Sequence, residues 1–153
     1  MYYLSIIFLM IIFPVCSIMI DLSMNSPTNL LQVILKWFVF WAIGIRLTTA
    51  GLRQIFQPKF TSKEILGIIE TRSLILVREL GFSNLSIGMI AIISSVVPHW
   101  LLPAATAGGL FMGFAGVHHL FQSNKNHRQQ FAMVSDLAIF LILFTIIIIP
   151  VFQ

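Results

Sequence analysis

Charged and polar side chains inside apolar segments are the residues of this chain that could do chemistry. Placed at about 100° per residue, Arg46, Thr49 and Arg53 share one face of a helix. Glu79 and Ser83 share one face of another helix. Such groups are costly in an apolar helix and by default face its neighbours, where they bind ligands or transfer protons.

A histidine and a second carboxylate belong to the same set. His119 lies near the end of an apolar segment, and Asp136 lies about 12 Å of helix rise beyond Arg128, at a similar depth. We therefore predict one polar cluster that forms a binding pocket or handles protons. Its candidate residues are Arg46, Arg53, Glu79, Ser83, His119 and Asp136. The alternative is that these groups are ion pairs and hydrogen bonds that hold helices together.

Five apolar segments have to position this cluster. Of the 153 residues, 58% are hydrophobic and 9% charged, whereas soluble domains have about a quarter of charged residues. Each segment approaches the roughly 20 residues that cross a bilayer. The sequence predicts an all-α integral membrane helix bundle, a single transmembrane domain over 1–153 surrounded by the lipid bilayer. The predicted spans are 2–20, 30–52, 78–97, 104–121 and 131–152.

The loop after the second span has a helix signal of its own. Thr61 to Glu64 reads TSKE, a capping-box pattern, and the apolar residues that follow fall on one side. We predict a short interfacial helix over 62–72 on the cytoplasmic surface. Because the chain is apolar again from Leu74, the third span has an alternative start there.

The basic residues indicate how the bundle is oriented. Those in the second and fourth loops are Arg53, Lys59, Lys63, Arg72, Lys125 and Arg128. Since Lys and Arg in short loops stay in the cytoplasm, the N-terminus is predicted inside and the C-terminus outside. The nine Lys and Arg form no run or stripe, which argues against nucleic acid as a partner.

Small residues on the third and fourth spans predict close helix packing. They are Gly81, Asn84 and Gly88 on the third, and Ala105, Gly109, Gly113 and Gly116 on the fourth. Because only the turn 98–103 separates these spans, we expect a tight antiparallel hairpin. Asn84 is expected to make a hydrogen bond between helices.

The sequence predicts no cofactor, no metal and no catalytic residue. With Cys16 as the only cysteine, an internal disulfide and a metal site built on thiolates are excluded. The adjacent His118 and His119 point about 100° apart on a helix, so they do not converge on one ion. Nucleophilic triads, phosphate loops and dinucleotide fingerprints are absent.

Three stretches carry a resemblance to a known family. They are RELGFSNLSIG (78–88), PAA with GGLF, AG and a histidine (103–119), and AMVSD (132–136). From about Arg46 to Phe140 the chain resembles a family of small, uncharacterised bacterial integral membrane proteins, which implies a bacterial inner-membrane location and no established activity. A looser similarity to DoxX-like four-helix membrane proteins implies a link to redox subunits.

Two function hypotheses follow. The first is a non-enzymatic protein that binds or transports a small solute, or stabilises a partner complex, through the polar cluster. The alternative is an enzyme or redox subunit acting on a lipid-soluble substrate such as a quinone, with Glu79, His119 and Asp136 exchanging protons. No internal repeat typical of transporters is found, so a homo-oligomer or a membrane partner subunit would supply a missing half. The sequence favours the first hypothesis and leaves the solute, the partner and the oligomeric state open.

Overall fold

Five long helices dominate the structure, a computed structural model that describes residues 2–25, 29–65, 73–123 and 125–149. All regular elements in these ranges are helical. The helices long and apolar enough to cross a membrane are α1 (Tyr3–Met24), α2 (Leu30–Phe56), α3 (Ser73–Ile93), α4 (Pro98–Phe121) and α5 (His127–Ile148). The predicted all-α bundle with five spanning helices is confirmed, and the chain is a multi-pass membrane protein.

Side-chain caps fix where two of these helices begin. The Asn29 side-chain oxygen accepts a hydrogen bond of 3.2 Å from the backbone N–H of Gln32 at the start of α2. Asn126 and Gln129 form a reciprocal capping box at the start of α5. Both caps satisfy N–H groups that the first helical turn leaves without a partner.

The connection from α2 to α3 is also helical where it is described. Pro58–Phe60 is α-helical, and Thr61–Ile65 continues as a π-helix. Of the predicted interfacial helix, the part from 66 to 72 lies outside the described residues. Within the described residues α3 runs over Ser73–Ile93, and it therefore includes Leu74, the alternative start considered for the third span.

α2 is the central helix of the bundle. Its Val39, Ala42 and Ile43 have no exposed surface. They pack in one apolar cluster with residues of the three later helices, namely Ala91, Leu101, Ala104, Ala105, Met112, Ile139 and Leu143. Since lipid tails are as apolar as these side chains, the close packing itself contributes the stability.

α2 and α3 approach each other at small residues. A Cβ atom added to Gly51 would lie 2.6 Å from the carbonyl oxygen of Gly81, and one added to Gly88 would lie 2.7 Å from the backbone nitrogen of Thr48. Between these two contacts Asn84 is buried, and its Nδ2 donates a 2.7 Å hydrogen bond to Oε1 of Gln54. The hydrogen bond expected of Asn84 therefore joins α3 to α2.

α4 and α5 pack in a different way, with glycines of α4 beneath bulky side chains of α5. A Cβ atom at Gly109 would lie 3.1 Å from the Phe144 ring, and one at Gly116 would lie 2.7 Å from Leu137. Gly113 is covered by Phe140 in the same manner. The glycines thus form grooves on the surface of α4, and aromatic and aliphatic side chains of α5 pack into these grooves.

The glycine faces of α3 and α4 thus do not pack against each other, contrary to the expected hairpin seam. The reason lies in α2, whose Gly44, Thr48 and Gly51 form a small-residue stripe of their own at i, i+4 and i+7. Two small-residue faces allow the closest backbone approach, and α2 offers the better match for α3.

Candidate binding site

Arg46 of α2 is the centre of the buried polar contacts. Its Nη2 donates to Asp136 Oδ1 at 2.5 Å and to Ser135 Oγ at 2.8 Å. Its Nη1 lies 3.7 Å from the sulfur of Met10 in α1. The side chains of Arg46 and Asp136 are only 11% and 10% exposed. One guanidinium therefore connects α1, α2 and α5.

α5 presents two neighbouring oxygens to this guanidinium. The Ser135 hydroxyl donates a 2.7 Å hydrogen bond to the Ala132 carbonyl of the preceding turn. Its lone pairs are then directed to Arg46 as acceptors. Since burial of an unpaired charge in a spanning helix is costly, the pairing of Arg46 with Asp136 is what allows both to be inside the bundle.

Two π-helical segments precede the site and help to aim it. They are Phe8–Ile12 in α1 and Val39–Ile45 in α2, and they contact each other. A π turn holds more residues than an α turn, so it rotates the residues that follow it around the helix axis. Arg46 is the first residue after the longer segment, and it points to Met10 within the shorter one.

His119 is buried at the end of α4. Its Nδ1 lies 3.0 Å from Gln122 Oε1, and Gln122 Nε2 lies 3.1 Å from Nε2 of the exposed His118. With the amide in this orientation, His119 Nδ1 carries the proton and His118 Nε2 accepts one. A series of polar groups thus runs from the exposed His118 to the buried His119.

Arg53 lies two turns beyond Arg46 on the same face, in the last turn of α2. It is exposed, and its guanidinium carbon is 4.6 Å from the centre of the Phe60 ring. Arg128 of α5 lies 5.7 Å from the same ring. Cation–π contacts of this kind hold guanidinium groups in place without neutralising them.

Glu79 and Ser83 lie apart from Arg46 and Asp136. Both are exposed, and the Ser83 hydroxyl donates to the backbone oxygen of Glu79 within α3. Among the described residues, Glu79 forms no ion pair. The small-residue face of α3 is turned to α2, so the opposite face with these two residues is turned outward.

A cavity of about 330 Å³ brings the two arginines of α2 together. We call it the basic cavity; its lining includes Ile6, Leu9, Arg46, Thr49, Arg53 and Phe60. None of its described lining residues is acidic. It lies between α1, α2 and the segment 58–65, and it combines apolar walls with two cationic groups.

Comparison with known sequences assigns the chain to a family. A family of unknown function, DUF6790, matches residues 1–151. The chain belongs to the DUF6790 family. Neither a curated protein nor a solved structure matches it significantly. The DUF6790 match spans all five helices and the basic cavity, and it brings no activity with it.

A second polar cavity of this DUF6790 chain lies at the opposite end of the bundle. It measures about 290 Å³ and is lined by Asp21 and Lys36, whose charged atoms are 3.6 Å apart. Trp37 donates a 2.9 Å hydrogen bond to Asp21, and Trp41 donates one of 2.9 Å to Ser17. These contacts hold α1 against α2, and they explain how Lys36 is accommodated within a span.

The sequence interpretation missed several residues that the DUF6790 fold brings together. Ser135 and Gln122 were overlooked because a serine or glutamine beside a charged residue gives no distinctive spacing. Phe60 was overlooked because its role depends on a contact between distant segments. In the described ranges no group of three His, Cys, Asp or Glu could hold a metal ion.

Proposed function

We propose that this protein is a non-enzymatic, multi-pass membrane protein that binds a small anionic solute in the basic cavity. The observation that carries the proposal is the presence of Arg46 and Arg53 in one cavity whose described lining is free of acidic side chains. Guanidinium groups recognise carboxylates and phosphates through charge-assisted hydrogen bonds. Solute transport or the stabilisation of a partner complex would use the same binding step.

Arg46 is pre-organised for this role. Its contacts with Asp136, Ser135 and Met10 involve three of the five N–H groups of a guanidinium. Among the described residues the remaining donors have no partner, so they can bind a ligand, while the contacts made by Nη2 fix the plane of the group. A fixed donor loses less conformational freedom on binding, which favours affinity.

We further propose that the basic cavity lies at the cytoplasmic end of the bundle, with the N-terminus inside and the C-terminus outside. In support, Tyr3 packs its ring 5.0 Å from that of Phe131, and Tyr3, Lys63 and Arg128 line one surface depression. The start of α1 and the basic loops therefore share one end of the bundle, as the retention of Lys and Arg in the cytoplasm requires. The bacterial inner membrane and the DoxX-like plan stay predictions from sequence resemblance.

Replacing Arg53 tests the anion site. The Tm of purified wild-type protein in neutral detergent, followed by tryptophan fluorescence, is expected to rise with at least one of two anions, inorganic phosphate and phosphatidylglycerol. It is expected not to rise with phosphatidylcholine. Arg53→Gln should weaken the affinity for the anion about tenfold, because a charge-assisted hydrogen bond is lost. Lys59→Gln is the matched control. It removes the same charge, and Lys59 is exposed on the neighbouring segment. A wild type that responds to neither anion would contradict the proposal.

A second candidate function is proton exchange with a lipid-soluble substrate such as a quinone. The observation in its favour is the hydrogen-bonded series His118, Gln122 and His119, which leads from the surface to a buried imidazole. If this candidate applies, protein purified in mild detergent is expected to contain an extractable quinone or a visible chromophore. Absorption spectra of the protein and of its organic extract measure this, and a colourless sample with a quinone-free extract would contradict it.

A further inference from the structure

We propose that the occupant of the basic cavity is an amphipathic anion from the bilayer, held by its phosphate headgroup between Arg46 and Arg53 with its tail outside against α1. This inference rests on the proposed function and names its ligand class. The cavity volume of about 330 Å³ lies near the lower end of the range of about 300–1,000 Å³ for small-molecule sites. It therefore accommodates a polar headgroup and not the acyl chains of a lipid.

The net charge of the cavity fits an anion with a single charge. Arg46 and Arg53 contribute two positive charges, and the contact of Arg46 with Asp136 balances one of them. One positive charge then remains, at the exposed Arg53. A phosphodiester headgroup such as that of phosphatidylglycerol carries one negative charge and several acceptor oxygens, which suits two guanidinium groups at different depths.

The proposal places a lateral opening of this cavity between α1 and α2. Thr49 lines it in α2 and Ser5 lines it in α1, and both are exposed although both lie within spanning helices. Thr49 lies about 10 Å of helix rise before the end of α2 at Phe56, where the surroundings of a spanning helix are lipid, and Ser5 lies in the first turn of α1. A molecule already in the membrane can thus reach the guanidinium groups between α1 and α2.

Apolar surface continues from the cavity along α1. Ile6 and Leu9 form the inner wall, and Leu4, Phe8 and Ile11 are exposed on the outer surface of the same helix. An acyl chain can lie along this surface with its headgroup in the cavity. A free inorganic anion would make no contact with this apolar surface. We therefore favour the bilayer as the source of the bound anion.

The two cations lie at depths that suit a headgroup. Arg53 is in the last turn of α2, which ends at Phe56, and Arg46 lies about 10 Å deeper along the helix. Phe60 lines the cavity, and its ring makes cation–π contacts with Arg53 and Arg128. Cationic side chains near the membrane surface attract anionic lipids, so this end of the cavity favours entry of an anionic headgroup over a zwitterionic one.

The test compares phosphatidylglycerol, phosphatidylcholine and inorganic phosphate with the full-length protein in neutral detergent. We expect native mass spectrometry to retain one phosphatidylglycerol with about tenfold preference over phosphatidylcholine. The Tm should rise with phosphatidylglycerol and not with inorganic phosphate at the same phosphate concentration. Arg53→Gln should abolish the preference, and Lys59→Gln should keep it.

A second variant tests the lateral opening without a change of charge. Thr49→Leu fills the opening, and in the described part of the chain the Thr49 hydroxyl that it removes bonds only to carbonyl oxygens of its own helix. This variant is expected to lose the phosphatidylglycerol preference, and it decides the question if Arg53→Gln does not fold. A response to inorganic phosphate equal to that of phosphatidylglycerol would overturn the bilayer origin while leaving the anion site intact. No response to either probe would overturn the anion site itself.

Discussion

Asp136→Ala is expected to lower the free energy of unfolding by about 3–5 kcal/mol, because it leaves the buried Arg46 guanidinium without its counter-charge. Asp136 and Ser135 are the two oxygen acceptors of Nη2, and a single hydroxyl cannot balance a full positive charge. Reversible unfolding in mixed micelles, followed by tryptophan fluorescence, measures this free energy. Asp136→Asn, which keeps an acceptor oxygen and removes the charge, should have a smaller effect.

The double variant Arg46→Met/Asp136→Leu is expected to recover wild-type stability to within about 1 kcal/mol. Both replacements are apolar and similar in size to the originals, so no charge and no unpaired acceptor is left between α2 and α5. Comparison of the single variants Arg46→Met and Asp136→Leu with the double variant gives the coupling energy directly. Additive effects would contradict the ion pair as a stabilising contact.

The same double variant separates structure from binding. Arg46 is proposed to bind the anion, and it is also part of a contact that holds helices together. A single substitution of Arg46 therefore changes binding and stability at the same time. A folded double variant that no longer responds to phosphatidylglycerol would assign Arg46 to the site. A folded double variant with the wild-type response would leave Arg53 as the cation that binds.

Hydropathy and helix rise were sufficient to predict the five helices and the common depth of Arg46 and Asp136. Both inferences depend only on distances along a helix, which the sequence contains. The structure joins these two side chains at 2.5 Å. The orientation of each helix around its own axis was harder to predict, because it depends on which neighbouring helix each face packs against.

α3 illustrates this difficulty. Its sequence has a polar face with Glu79 and Ser83 and a small-residue face with Gly81 and Gly88, and only one of them can be turned to a partner. We expected the small face to meet α4, whereas it meets Gly51 of α2. The stripe on α2 includes the end of a π-helical segment, where a constant 100° per residue no longer places side chains correctly.

Gly51→Ala is expected to be the most damaging small substitution at this contact, with a loss of about 3 kcal/mol of unfolding free energy. The added Cβ atom would lie 2.6 Å from the carbonyl oxygen of Gly81 and 2.8 Å from the backbone nitrogen of Leu85. Backbone atoms have no rotamer to change, so α2 and α3 would have to move apart. That movement would also lengthen the hydrogen bond from Asn84 to Gln54.

Gly109→Ala is the matched control for this prediction, because it adds the same methyl group to another buried glycine. Its Cβ atom would meet the Phe144 ring at 3.1 Å, and a side chain can turn aside, so the expected loss is within about 1 kcal/mol. Any gain from the higher helix propensity of alanine applies to both variants and cancels in the comparison. Equal losses at the two positions, measured by the same unfolding assay, would show that α2 and α3 are not held at backbone contact. In that case the position of Arg46 and Arg53, which both depend on α2, would have to be set by α1 and α5 instead.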